Sequence, residues 1–195
     1  MNLHVTVVNL LIFLDNIYMP RFHRNLSTPD LISLSLYILI QKNEYSDITV
    51  QDICNKAHVS RMSFYRYFNN KDDILIAYCD QKFEEFFITF TKKNNPTLEF
   101  FAFSIFDFFK KYERQLKILK KANKQQLLID RFNSYANYLF SNIKSDNFHF
   151  NKSNPTLVPF FTGGLFNVLM SWIDNDLNPS PKDMSYYLIR VVSKQ

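Results

Sequence analysis

The stretch TVQDICNKAHVSRMSFYRYFNNKDDIL, residues 49–75, decides the fold because helix starts and helix breaks follow each other at short intervals along it. Thr49 and Asp52 form a capping pattern at the start of a short amphipathic helix. Ser60 can cap a second short helix that runs through Tyr67. Two short helices separated by a tight turn are typical of a helix-turn-helix.

Helices are predicted on both sides of this stretch. Upstream, Ser-Thr-Pro-Asp at 27–30 combines a cap, a proline at the first helical position and an acid at the positive end of the dipole. These signals favour a helix to Lys42, although the serines that follow alternate with apolar residues as in a strand. Downstream, helices are predicted at about 71–90, 97–112, 113–122, 125–144, 156–174 and 181–194, with a loop at 145–155.

The composition excludes several classes of fold and function. Only 2 of the 195 residues are Gly, the adjacent Gly163 and Gly164, so no Gly-rich phosphate loop or dinucleotide fingerprint can form. The tight turns of an all-β sandwich need positive φ, which Gly adopts most easily. We therefore predict an all-α protein of about nine helices.

No catalytic or metal chemistry is indicated by the sequence. Cys54 and Cys79 form no Cys-x-x-Cys motif and lie at no metal spacing from a histidine. They are predicted to be small buried hydrophobes in a protein of the reducing cytoplasm. Since no nucleophile–base set or cofactor loop is present either, we expect no cofactor, no metal and no enzymatic activity.

Basic charge is concentrated on the second short helix and its flanks. Residues 56–71, KAHVSRMSFYRYFNNK, contain four Lys and Arg residues and no acid. Arg can bind guanine edges through two hydrogen bonds, Ser, Tyr and Lys can bind phosphates, and an α-helix fits the major groove. Charge alone also fits a solvated helix in an ordinary bundle.

Residues 49–75 resemble the helix-turn-helix of the TetR family of bacterial transcription regulators. The matching positions, in the family's order, are Thr49, Ile53, Ala57, Val59, Ser60, Phe64, Tyr65, Tyr67, Phe68, Asn70, Lys71, Asp72 and Leu75. Three positions depart from the pattern: His58 replaces the usual turn Gly, Cys54 replaces Ala, and Met62 stands where a small residue is common. His tolerates positive φ better than most residues, so we expect the turn to survive.

The resemblance implies a DNA-binding domain at 19–75, a helical regulatory and dimerisation domain at 76–195, and double-stranded DNA as a partner. It implies phosphate contacts from Thr49, Tyr65 and Lys71, base contacts from Arg61, Met62 and Ser63, and a backbone contact from Arg66. Ser60 is predicted to bind DNA beside them. Residues 1–18 fall outside these domains. Their apolar run at 5–14 is shorter than the roughly 20 residues that span a bilayer, so we expect an extra segment and no membrane partner; a short anchor or an added helix are the alternatives.

The resemblance also implies a homodimer that forms through the last two helices. The candidate interface residues are Phe161, Gly163, Gly164, Asn167, Ser171, Tyr187 and Val191. Small side chains allow a partner helix to approach closely; alternatively, both helices only close the core of the monomer.

Ten Phe residues between Phe83 and Phe109 allow two interpretations. They form either a pocket for a small apolar effector or an aromatic core; the candidate pocket residues are Phe86, Phe90, Phe103, Phe106 and Trp172. We expect a sequence-specific, homodimeric DNA-binding regulator, and specifically a repressor that an apolar effector releases. The alternative is an adaptor of the same fold that acts through a protein partner.

Overall fold

The computed structural model describes residues 26–142 and 155–192, and the regular structure within these ranges is helical. The nine α-helices described are α1 Thr28–Lys42, α2 Val50–Ala57, α3 Arg61–Tyr65, α4 Lys71–Thr91, α5 Leu98–Lys111, α6 Glu113–Lys121, α7 Gln125–Asn142, α8 Leu157–Asp174 and α9 Pro181–Val192. A short 3-10 helix, Tyr45–Asp47, lies between α1 and α2. The all-α prediction is therefore confirmed, whereas the predicted segment at 1–18 and nearly all of the loop at 145–155 lie outside the described residues.

The chain divides into two compact units between Leu75 and Ile76. The first unit holds α1–α3 and the start of α4, and α1 packs against both α2 and α3. Its core consists of apolar side chains that are almost completely buried, among them Ile32, Ile53 and Phe64. These side chains come from α1, α2 and α3 in turn, so the core holds the helix-turn-helix to the preceding helix.

The second unit holds the rest of α4 together with α5–α9. In it α9 packs against α5, and α8 packs against α7 and α6. The core is aromatic: the rings of Phe106 and Trp172 meet edge to face with centroids 5.4 Å apart, and both side chains are buried. Such pairs add about 0.5–1.5 kcal/mol beyond the area that they bury.

Both cysteines are free and buried, which confirms their prediction as small core residues. Burial raises the pKa of the Cys79 thiol to about 12 and also raises the pKa of the Cys54 thiol. Since the thiolate is the reactive form, both side chains stay protonated and act as packing groups.

Among the described residues, α8 is the one helix that is both long enough and apolar enough to cross a membrane, judged by length and composition alone. The core helix of a globular protein has the same properties. One side of α8 is buried in the second unit through Leu165, Leu169 and Trp172, while Phe160 and Val168 are exposed.

Candidate nucleic-acid interface

The turn between α2 and α3 depends on a left-handed backbone at His58. This residue ends α2 with φ 56° and ψ 40°, and its N–H donates to the carbonyl of Asn55. The expectation of positive φ at the position where the family usually has Gly is confirmed. His carries a Cβ in this conformation, so the turn holds some strain.

Replacing His58 by Gly is expected to stabilise the protein. The left-handed conformation costs a non-Gly residue roughly 1–2 kcal/mol, and the extra freedom of Gly in the unfolded chain offsets about 0.4–1 kcal/mol of that gain. His58→Gly should therefore raise the free energy of unfolding by up to about 1.6 kcal/mol, while β-branched His58→Val should lower it. Urea titration of the three proteins measures the order, and a Gly variant less stable than the parent would contradict the assignment of strain.

One aromatic side chain fixes the short helix α3 to the first unit. Phe64 is completely buried, and its ring lies 6.0 Å from that of the buried Phe68. At the start of α3 the Ser60 hydroxyl accepts a hydrogen bond from the Ser63 N–H at 3.0 Å. Anchor and cap together hold a helix of only five residues, too short to be stable alone.

The opposite face of α3 is exposed and carries no acid. Met62 is 83% exposed and Tyr65 48%, and Arg61 and Arg66 are exposed as well. The Arg61 guanidinium lies over the Tyr65 ring, 5.9 Å from its centroid, which orients the two side chains together. Ser63 is half-buried, and its hydroxyl lies 2.9 Å from that of Ser60. The predicted base-contacting residues are therefore consecutive on one short helix.

Thr49 lies at the N-cap of α2, where its hydroxyl bonds within the chain. The hydroxyl accepts from the Asp52 N–H at 3.1 Å and donates to the Asp52 carboxylate at 2.5 Å, and the Thr49 N–H donates to the same oxygen at 2.9 Å. These bonds lower the pKa of Asp52. In the free protein Thr49 therefore caps α2, and its phosphate contact stays a prediction.

The ammonium of Lys71 is held within the first unit. It donates to the carbonyls of Tyr45, Ser46 and Ile48 at 2.5, 3.2 and 2.7 Å, and it lies 4.4 Å from the centre of the Tyr45 ring. An ammonium has three N–H donors, and these contacts occupy all of them. In the free protein the residue ties the 3-10 helix to the start of α4, and its phosphate contact stays a prediction.

A hydrogen bond between Tyr45 and Asp72 also joins the 3-10 helix to the start of α4, and together with the Lys71 contacts it forms a brace between these two segments. Neither residue was predicted from the sequence to make this contact. The buried Tyr45 hydroxyl donates to the Asp72 carboxylate at 2.5 Å, and burial and the carboxylate together raise the pKa of Tyr45. The two residues are 27 positions apart, so no local spacing signals the contact. The brace fixes the segment that leads into α2.

Lys71→Met is expected to destabilise the first unit and to leave the salt dependence of DNA binding nearly unchanged. The loss of the half-buried ammonium leaves three carbonyls without this donor, and a buried carbonyl that loses its donor costs about 1–3 kcal/mol. Arg66→Gln, which removes an exposed charge, should instead leave stability unchanged and lower the slope of log K against log salt by about one unit. Thermal melting and titrations at several salt concentrations separate the two effects; a slope change of one unit for Lys71→Met would confirm its phosphate contact.

The residues predicted for the effector pocket lie in different places in the second unit, and their role stays a prediction. A cavity of about 30 Å³ lies between α4, α5, α7 and α8, and of the five predicted residues only Phe86 lines it. Phe90 packs against Phe101 in the core, and Phe106 and Trp172 pack against each other. Phe103 is 45% exposed. Helical spacing alone does not reveal which of these rings is buried or which borders a void.

The candidate interface residues are mostly on the surface of α8 and α9. Gly164, Asn167, Ser171, Tyr187 and Val191 are exposed, and Gly163 is half-buried. Phe161 is half-buried instead: its ring packs 5.8 Å from that of Phe140 and lines the cavity. The predicted small-residue stripe is thus accessible, without the large aromatic at its start.

The end of α5, α6 and the residue before α7 carry a run of basic residues that is partly neutralised within the second unit: Lys110, Lys111, Arg114, Lys117, Lys120, Lys121 and Lys124. Lys117 pairs with Glu113 at 2.7 Å and with Asp176 at 2.8 Å, and Lys120 pairs with Asp174. This arrangement agrees with a solvated charged face.

Comparison with known proteins identifies relatives of both units. The model of the tetR family of bacterial regulatory proteins matches residues 37–78, and that of a transcriptional regulator C-terminal region matches residues 96–194. The HTH-type dhaKLM operon transcriptional activator DhaS of Lactococcus lactis subsp. lactis (strain IL1403) is 32% identical over 62 residues, which are 32% of this chain and 33% of that protein. The aligned segment thus spans about a third of that relative's length.

Two solved structures share the fold. The dihydroxyacetone kinase operon activator DhaS aligns with a TM-score of 0.58 at 16% identity, and the fatty acid degradation regulator FadR from Bacillus halodurans with a TM-score of 0.58 at 18%. Each alignment covers 86% of this chain and 95% of the other. At these identities the likeness concerns the fold alone. The C-terminal family match alone covers just over half of the sequence, and the chain therefore belongs to the TetR family of DNA-binding transcriptional regulators, which are not enzymes.

Proposed function

We propose that this regulator binds a specific operator as a homodimer in the cytoplasm and represses transcription until a small apolar effector releases it. The observation that carries the proposal is the exposed face of α3. It presents Arg61, Met62 and Arg66 to the outside while Phe64 anchors the helix from behind. Two guanidinium groups without a neighbouring acid on the helix suit the edges and phosphates of the major groove.

An exposed apolar stripe on α8 supports the homodimer. Phe160, Gly164, Val168 and Ser171 recur at spacings of three and four residues, and Phe160 and Val168 are 78% and 39% exposed. On α9, Tyr187 and Val191 are 53% and 70% exposed at the same spacing. Apolar surface of this kind marks interaction sites. A second copy would supply the second helix-turn-helix, about 34–36 Å away in the next major groove.

The space around Gly164 supports the same interface. A Cβ added at Gly164 would meet no atom within 4 Å, so a side chain there is not excluded by the monomer itself. Asn167 donates within the helix to the carbonyl of Gly163 at 2.9 Å, which holds its side chain close to the helix. No side chain projects far from α8 at Gly164 and Asn167, so a partner helix can approach closely there.

Two apolar cavities in the second unit support an apolar effector. The cavity that Phe86 lines and another of about 30 Å³ near Cys79 are both bordered by Phe83. The rings of Phe83, Phe109 and Phe132 lie 5.8–6.5 Å apart in pairs and separate the two voids. Each void has room for little more than one or two waters. An effector therefore has to displace Phe83, which would join the voids into one elongated apolar site.

Phe83→Ala tests the effector site. Removal of the ring should join the cavities and allow one molecule of the apolar dye N-phenyl-1-naphthylamine to bind per chain, as engineered apolar cavities bind benzene. Ile88→Ala, which shortens an exposed side chain on the same helix, is the control and should not increase dye binding. A Phe83→Ala protein that folds and binds no dye would remove this site from the proposal.

Gel shifts at several salt concentrations on the DNA that flanks the gene test operator binding. Salt-dependent, saturable binding that Arg61→Ala weakens is expected, whereas the adaptor alternative predicts no specific shift without a protein partner. A reporter under the bound promoter, with and without the regulator, tests repression. Lower expression without the regulator would make it an activator, the role that the name of its relative DhaS states for that protein.

A further inference from the structure

Met62 is the most exposed large apolar side chain in the described part of the chain. It is 83% exposed, above Phe160 at 78% and Val191 at 70%. An isolated apolar group on a surface needs no explanation in general. At this position, however, it lies on the helix that faces DNA, between Arg61 and Ser63, so what the thioether contacts there bears on recognition.

The geometry of α3 directs Met62 away from the protein. Successive residues of an α-helix are rotated by about 100°, so Met62 lies about 200° from Phe64, the buried anchor. The side chain is therefore near the centre of the exposed face. Its neighbour Ser63 has its hydroxyl 2.9 Å from that of Ser60, and Arg61 lies over the Tyr65 ring, so both neighbours of Met62 have contacts within the chain.

The chemistry of the thioether restricts what Met62 can recognise. A thioether has no donor and accepts hydrogen bonds only weakly, so Met62 cannot read the polar edge of a base. The major groove offers one apolar group, the C5-methyl of thymine. We propose that Met62 determines part of the operator sequence by packing against a thymine methyl in each half-site.

The test compares thymine with deoxyuridine, which lacks only that methyl group. The full chain first selects its site from a random duplex pool, and each thymine of the enriched site is then replaced by deoxyuridine. One position per half-site should weaken binding by about fourfold, the factor for burying one methyl-sized group. Restoring a C5-methyl at this position, with 5-methylcytosine paired to guanine, should bind more tightly than unmethylated cytosine there.

Variants of the chain assign the effect to Met62. In Met62→Ala the deoxyuridine replacement should have no effect, whereas apolar Met62→Leu should retain it. Ile88→Ala removes an exposed apolar side chain from the second unit and should keep the full fourfold dependence. Because Met62 is exposed, thermal melting of its variants should match the parent.

Three results would overturn the proposal. One is a wild-type protein that tolerates deoxyuridine at every position, and another is a methyl dependence that survives in Met62→Ala. The third is a pool without enrichment, because a residue cannot determine a specificity that the protein lacks. Salt-dependent binding to the unselected pool would show in each case that DNA binding itself is intact.

Discussion

Phe64→Ala is expected to unfold the helix-turn-helix and to abolish DNA binding. Phe64 is completely buried, and large-to-small changes of a buried Phe cost about 3–5 kcal/mol. A domain has only about 5–15 kcal/mol of stability in total, and α3 has five residues with no other buried side chain. We expect a lower melting temperature and no operator binding at growth temperature.

Tyr67→Ala is the matched control for Phe64→Ala. Tyr67 is 47% exposed, so its removal should change stability by no more than about 0.5 kcal/mol. Circular dichroism melting and a gel shift at low temperature compare the two proteins. A Phe64→Ala protein that melts with the parent would show that α3 is held by contacts other than this anchor.

Gly164→Phe is expected to convert the proposed homodimer into a monomer that remains folded. The added side chain meets no atom of its own chain at the Cβ, so its cost should fall on the partner helix. Overpacking costs roughly 1–3 kcal/mol, and the twofold axis applies it at two positions. Specific DNA binding should fail while helical content persists.

Gly164→Ala provides the control for this experiment. Ala raises helix stability by up to about 1 kcal/mol relative to Gly and adds little bulk. The Ala variant should therefore remain a dimer and melt at or above the parent temperature. Sedimentation at micromolar concentration measures all three proteins. A dimer that persists in Gly164→Phe would place the interface elsewhere, and a monomeric parent that binds its operator tightly would remove the homodimer.

The sequence predicts the helices well because their starts and ends depend on local signals. Thr97 illustrates this: its hydroxyl caps α5 by accepting from the Phe100 N–H at 3.2 Å, a contact within four residues. The end of α3 was predicted two residues too late, at Tyr67. After Tyr65 the Tyr67 N–H donates to the carbonyl of Phe64, three residues earlier, whereas an α-helix joins residues four apart. No helix-breaking residue at this position signals the end of the α-helix.

Contacts between distant residues could not be predicted from the sequence. The resemblance assigns Lys71 to phosphate because the family pattern has Lys there, but the carbonyls of the 3-10 helix lie more than 20 positions away and hold its ammonium. Likewise, a stripe of Phe residues has the same spacing whether it borders a void or fills a core. Phe103 and Phe106 are three residues apart, a spacing that puts two side chains on similar faces of a helix. Even so, Phe103 is exposed and Phe106 is buried in the core.

The shortness of α3 limits how much sequence information one copy of the protein can read. Three consecutive side chains, Arg61, Met62 and Ser63, are the candidates for base contacts, and they suffice for about three base pairs per half-site. Two half-sites then distinguish about four thousand sequences, far fewer than the 10⁶ or more competing sites of a genome. The remaining discrimination has to come from the shape and flexibility of DNA that no side chain touches. Base pairs between the half-sites should therefore contribute to operator choice.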